Sequence, residues 1–219
     1  MGSFRVRGAG SPPPLQPGPP ARRRPGRGRI RRPADAVGVA PPLASGHDHL
    51  AQRDARGKTT TARLVQERIP GSRVLDAEKV GEVLMDVRPS LPATDDFQHW
   101  APWRPLVVET ARRVLEYAGG TLVMPMTVLV EAYWREISGG LTAHGVPIRH
   151  FVLHADTDTL RHRIQHDQDL GPSAFRFSRV EPYAEAARTW LHADAEVVDT
   201  SRITPVEAAD RIAASVAGR

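Results

Sequence analysis

From residue 57 to the C-terminus, apolar positions recur with helical and strand spacing by turns. Thr59–Arg68 predicts a helix, and Arg73–Asp76 a short strand ending in an acid. Ala77–Val87 predicts a second helix, with Val80, Val83, Leu84 and Val87 on one face. Pro89–Pro92 forms a turn. Pro102–Ala118 reads as a longer amphipathic helix carrying Leu106, Val107, Ala111, Val114 and Leu115, and Gly119-Gly120 stops it. Thr121–Thr127 is apolar on both faces, as a strand of a parallel sheet covered by helices should be. Leu129–His144 predicts a helix weakened by Gly139-Gly140, and Pro147–His154 the next strand. Asp156 caps a helix over Thr157–His166. Gly171–Val180 predicts a polar loop, and Pro182–His192 a helix with Tyr183, Ala187 and Trp190 inward. Glu196–Val198 is a last short strand. Thr204-Pro205-Val206-Glu207 is a capping box with proline at the first helical position. The helix it opens should bury Val206, Ala209, Ile212, Ala213 and Val216.

Strand and helix alternate throughout, which predicts an α/β domain: a parallel sheet with helices on both faces. The first 50 residues have a different texture. They hold half of the 20 prolines, with Pro12-Pro13-Pro14 and Arg22-Arg23-Arg24 among them, and no helix or strand face to bury. The expected organisation is a disordered Pro/Arg/Gly-rich tail over residues 1–56 and one folded domain over residues 57–219.

Charge follows the same division. The net charge is +5, but residues 1–50 carry nine arginines against two acids, leaving 21 basic and 23 acidic residues in the remainder. The basic character belongs to the tail, so nucleic-acid binding by the folded part is not expected. With no cysteine, disulfides, thiolate metal sites and a cysteine nucleophile are excluded. No run of about 18 apolar residues predicts a membrane span, and no signal-peptide stretch opens the chain. The expected location is cytoplasmic.

The sharpest chemical signal is Gly57-Lys58-Thr59-Thr60-Thr61 at the start of a helix. A helix N-terminus offers free backbone N–H groups and a partial positive charge to a phosphate. Lysine adds a cation for terminal phosphates, and the following hydroxyl can bind magnesium. The complete phosphate-loop pattern has a glycine five residues before Gly57, where this chain has Gln52, and a buried strand just ahead, where Ala51–Arg56 is polar. Taken alone, the half-motif fits a phosphate site and a surface helix equally well.

Further motifs extend it. Gly57-Lys58-Thr59-Thr60-Thr61-Ala62, Asp76-Ala77-Glu78-Lys79-Val80-Gly81, Asp95-Asp96-Phe97-Gln98 with Trp103-Arg104, Val123-Met124-Pro125-Met126-Thr127, and His150-Phe151 together resemble the tunicamycin-resistance-like family of ATP-binding proteins, in the kinase-like group of P-loop NTPases. The likeness spans roughly residues 57–219. It implies a five-stranded parallel sheet flanked by helices, ATP and Mg2+ as cofactors, and either a small molecule or an antibiotic as substrate. It implies phosphate contacts from Gly57, Lys58, Thr59 and Thr60, with Thr59 at the metal. The first strand and glycine-rich loop of the family are missing here or replaced. Such a tract in GC-rich coding DNA points to a shifted frame or misplaced start, which the upstream DNA decides.

Other residues carry two readings each. Asp76 ends a strand at the sheet edge where ligands bind in open α/β folds. It either serves the acceptor hydroxyl as orienting group or general base, or caps the following helix. Glu78 and Lys79, in that helix's first turn, read as solvated. Asp96 and Arg104 either hold an anionic or sugar-bearing acceptor or form a surface ion pair. By resemblance, Arg163 stacks on adenine, Asp199 and Thr200 approach the base, and lid arginines neutralise the moving phosphoryl group. The usual lid arginine is Asp167 here, with Arg176 and Arg179 as stand-ins. Met124–Thr127 has no acid to hold a metal, and Thr127 is the polar group nearest that role. His162 and His166 share a helix face without the further ligand a zinc site needs. Three functions follow: an ATP-dependent kinase or ATPase acting on a small molecule, a nucleotide-dependent drug-binding protein without phosphoryl transfer, and an inactive remnant.

Overall fold

The computed structural model describes residues 3–6, 57–87, 89–168 and 171–218. In chain order these form β1 (Ser3–Val6), α1 (Gly57–Arg68), β2 (Ser72–Val74), α2 (Glu78–Met85), a 3₁₀ turn (Phe97–His99), α3 (Trp103–Ala118), β3 (Thr121–Val123) and α4 (Glu131–Ala143). There follow β4 (Arg149–His154), α5 (Thr157–Gln165), α6 (Ala174–Ser178), α7 (Val180–Ala186), a π-turn (Ala187–Leu191), α8 (His192–Asp194), β5 (Glu196–Asp199) and α9 (Pro205–Ala217).

The strands form two hydrogen-bonded groups in place of the expected five-stranded parallel sheet. β2 pairs with β3 in parallel, Val74 opposite Val123. β4 pairs in parallel with β5, Leu153 opposite Val198, and antiparallel with β1, Ser3 opposite Val152. β1 also runs beside β3, so the spatial order is β2, β3, β1, β4, β5. A strand thus comes from the stretch whose composition predicts none. Its direction is reversed: the chain leaves β1 beside Arg149, at the start of β4, and residues 7–56 intervene before α1. The rest of the predicted tail, and the segment Gln52–Arg56, lie outside the described residues.

Alternating strand side chains feed two cores, which is how a sheet covered on both faces must read. Val123, Phe151, Leu153 and Val198 meet Ala62 and Val65 of α1 and Ala208, Ala209 and Ile212 of α9. Leu122, Met124 and Val152 meet the larger group from α2, α3, α4, α5 and α7, including Leu84, Val107, Trp134, Leu160 and Tyr183. Phe151 and Ile212 are fully buried, each contributing roughly 1.5–3 kcal/mol by burial.

Helix faces differ in detail from the expected ones. On α2, Gly81 and Leu84 face inward while Val83 is 68% exposed. On α3, Val108 is buried and Leu106 turns outward; on α9, Ala208 takes the place expected of Val206. Gly81 is required by packing: a Cβ there would lie 2.5 Å from the Phe97 ring. That ring packs at a tilt against Trp103, centroids 5.3 Å apart, and Trp103 Nε1 donates to the Ala77 carbonyl. The start of α2, the 3₁₀ turn and the start of α3 are thereby locked together. Gly171–Val180, expected as a loop, contains α6, whose N-terminus Ser173 caps by accepting from the Arg176 N–H. The Thr204–Glu207 capping box forms as expected, with Pro205 opening α9.

Candidate functional site

The first turn of α1 holds no acidic residue, so the turn itself carries nothing to offset the partial positive charge of the helix end. Lys58, in that turn, is 4% exposed. Its Nζ donates to Glu78 Oε1 at 2.7 Å and to Thr127 Oγ1 at 3.3 Å. Three segments far apart in the chain meet at this ammonium: the start of α1, the start of α2 and the loop leaving β3. Two of them follow paired parallel strands, which places the group at the sheet edge where strands end. Thr59 is half-buried in the same turn and Thr60 is exposed.

Asp76 leaves β2 and its Oδ1 accepts from the Glu78 N–H at 3.0 Å. This turn sets the direction of α2 and so presents Glu78 to Lys58. The capping role expected as one reading of Asp76 is therefore present, and its side chain stands half-buried beside the ammonium's partner. Glu78 is the residue the pattern missed. It read as solvated, yet its side chain is 13% exposed and ion-paired. The available signal was its place in the first turn of a helix that begins at the same sheet edge as α1.

A second polar chain leads away from Thr127. Gln98 Nε2 donates to the Thr127 carbonyl at 2.8 Å, and Arg104 donates to the Gln98 carbonyl at 2.7 Å. Arg104 is buried, paired with Glu136 at 2.6 Å and stacked 4.2 Å over Tyr133. Asp96, 4% exposed, accepts from the Gln98 N–H and pairs with Arg179 at 2.5 Å. Asp96 and Arg104 thus do not pair with each other; they bind the N–H and the carbonyl of the same residue, Gln98, in the 3₁₀ turn. Met124 and Met126 are core residues.

The arginines expected at the lid and the base, Arg163, Arg176 and Arg179, are all engaged. Arg163 donates to the Thr200 hydroxyl at 3.1 Å and to its carbonyl at 2.5 Å. Thr200 in turn donates from its N–H and its hydroxyl to the His154 carbonyl. Arg163 and Thr200, two of the residues expected near the base, are therefore joined by hydrogen bonds. Asp199 accepts from the Ser201 N–H, and hydrogen bonds from Ser201 hold its carboxyl below the usual value. Arg176 is bound to Asp167 and to the Gly171 carbonyl. Arg179, 31% exposed, lies over the Phe175 ring. His162 and His166 are exposed and their rings stack at 4.1 Å. Among the described residues, no group of three metal-ligating side chains converges, and no helix is long and apolar enough to cross a membrane.

Beneath this edge His154 shares a hydrogen bond with the Tyr183 hydroxyl at 2.7 Å, and His192 meets it edge-on at 4.7 Å. Burial, with some help from Asp199, pushes the Tyr183 phenol well above its ordinary range. Burial, then the neighbouring His154, pulls the His192 imidazole below its usual value.

The family model described as AAA domain matches residues 54–181. Among solved structures, that of the tunicamycin resistance protein of Deinococcus radiodurans is similar, with 29% identity and a TM-score of 0.61. The match covers 73% of this chain and 88% of that one. No curated protein matches the chain.

Proposed function

The chain belongs to the AAA-domain family, and from that premise we propose that it binds ATP with Mg2+ at the start of α1 and transfers the terminal phosphoryl group to a small hydroxyl-bearing molecule. The observation that carries the reading is the buried Lys58 ammonium in a first helical turn that has no acid of its own, held between Glu78 and Thr127. The donor set fits a polyphosphate with its cation: backbone N–H groups and an ammonium for the anion, the Thr59 hydroxyl and the Glu78 carboxylate beside them. ATP supplies the phosphoryl group and magnesium offsets its charge. Lys58 would hold the terminal phosphates, Thr59 the metal, and Asp76 the proton of the acceptor hydroxyl. Arg163, Asp199 and Thr200 would line the base; Asp96 and Arg104 would shape the acceptor side through the 3₁₀ turn. An antibiotic is the substrate class we favour, because the similar structure is that of a tunicamycin resistance protein. We place the reaction in the cytoplasm.

A second reading has its own support. The loop after β3 carries no acid, and Arg163, Arg176 and Arg179 are committed to Thr200, Asp167 and Asp96. That pattern suits nucleotide-dependent binding of a drug without phosphoryl transfer. Incubation with γ-labelled ATP and a nucleoside-type antibiotic separates the two: label on the antibiotic supports the kinase, tight drug binding without label the alternative. Lys58→Met should weaken ATP binding by about tenfold to a hundredfold, the worth of a charge-assisted hydrogen bond. Unchanged ATP affinity in a folded Lys58→Met protein would refute both.

A further inference from the structure

Gln98, in the 3₁₀ turn, is bound in three directions. Its N–H donates to Asp96 Oδ1 at 2.9 Å, its carbonyl accepts from Arg104 at 2.7 Å, and its Nε2 donates to the Thr127 carbonyl at 2.8 Å. The hydroxyl of the same threonine accepts from Lys58 Nζ at 3.3 Å. Resting on the nucleotide reading above, we infer that Gln98 is a positioning residue for phosphate binding: by holding the Thr127 carbonyl, it sets where the Thr127 hydroxyl meets Lys58.

Both ends of this link are anchored, so the bond can transmit position. On the side of the turn, Phe97 is buried against Gly81 and Trp103. Asp96 is tied to Arg179, and Arg104 to Glu136 of α4. On the side of the loop after β3, Met126 and Val128 are buried on either flank of Thr127. The half-buried threonine between them is oriented by its own polar contacts. Its carbonyl and hydroxyl belong to one residue. A carbonyl that loses its donor turns toward another partner and carries the hydroxyl with it. Gln98 thus acts on the phosphate end through Thr127, and it joins that end to the turn on the acceptor side.

Calorimetric titration of the full chain with ATP and magnesium, run as a double-mutant cycle, tests this. Gln98→Leu removes the amide donor; Thr127→Val removes the hydroxyl and keeps the carbonyl. Each should weaken ATP binding by about threefold to tenfold, the worth of one hydrogen bond. Together they should weaken it no more than the larger single effect, because Gln98 acts through the hydroxyl that the second change removes. Gln98→Glu, which keeps the shape and loses the amide donor, should weaken binding at least as much as Gln98→Leu and stands in for it if that variant does not fold. Melting temperatures without ligand separate stability from affinity: a purely structural Gln98 lowers the melting temperature and leaves the two effects on ATP binding independent. Effects that multiply in the double variant overturn the inference. So does unchanged ATP affinity in Thr127→Val, or in both Gln98 variants. If Lys58→Met weakens ATP binding while any of these results is found, this inference alone fails; if Lys58→Met leaves ATP binding unchanged, the nucleotide reading falls and takes the inference with it.

Discussion

Alanine at Gly139 and alanine at Gly140, neighbours in α4, should move stability in opposite directions. Glycine inside a helix costs about 1 kcal/mol relative to alanine. At Gly139 an added Cβ meets nothing within 4 Å, so Gly139→Ala should recover most of that amount. At Gly140 the same Cβ would lie 2.9 Å from Val108 Cγ2 and 3.1 Å from Cγ1. Val108 is buried in α3, and a β-branched side chain in a helix has essentially one χ1 to adopt. It cannot swing aside, so α3 and α4 must part. Overpacking of this kind costs about 1–3 kcal/mol, which cancels or exceeds the propensity gain. The two variants should differ by about 1–3 kcal/mol, or several degrees in melting temperature at this chain length. Urea unfolding followed by circular dichroism measures it. Val108→Ala combined with Gly140→Ala should be better than the sum of the single changes, because the new methyl occupies the space vacated. A Gly140→Ala protein as stabilised as Gly139→Ala would refute the close approach of α3 and α4. The consequence reaches the site, since that spacing lets Arg104 of α3 pair with Glu136 and stack on Tyr133 of α4.

Two further outcomes follow from the polar groups under the site. His192 is held below its unfolded value near 6.5 by burial and by His154, so the unfolded chain binds more protons between the folded value and 6.5. Its contribution is complete above about pH 6.5 and is lost as pH falls through the folded value; His192→Leu should show a shallower loss of melting temperature on acidification, and an unchanged slope would refute the assignment. Asp96→Asn keeps an acceptor for the Gln98 N–H but loses the Arg179 pair. Because Arg179 can reach water, the expected cost is about 1–2 kcal/mol. Asp96→Ala also removes the cap and should cost about 1 kcal/mol more; equal unfolding midpoints for the two variants would show that the cap contributes nothing.

Local physics made much of the fold legible. The Thr204–Glu207 box and Pro205 start α9 because side-chain capping and a preset φ act within four residues. Asp156 starts α5 for the same reason. The doubly apolar run at Thr121–Val123 marks a strand covered on both faces, which hydrophobicity alone reveals. The start of α1 at Gly57-Lys58-Thr59 was legible as a helix start, and the proposal of an anion site there draws on helix-end charge, a property of the backbone.

What stayed hidden depends on which surfaces meet. Val83 and Val206 share the apolar character of their neighbours, yet they face out because Phe97 packs against Gly81 and α9 rolls to present Ala208. Ser3–Val6 reads as part of an unstructured tract; pairing with β4 makes it a strand, and strand pairing is supplied by a partner more than a hundred residues away. The same holds for the site. Residue type and position announced Lys58 as a cation at a helix mouth. Only the folded sheet edge decided that Glu78, rather than Asp76, would stand against it, and that Asp96 would hold Arg179. Charges choose partners through space after the elements have packed, so their pairing is a tertiary result, whereas the elements themselves follow from contacts within a few residues along the chain.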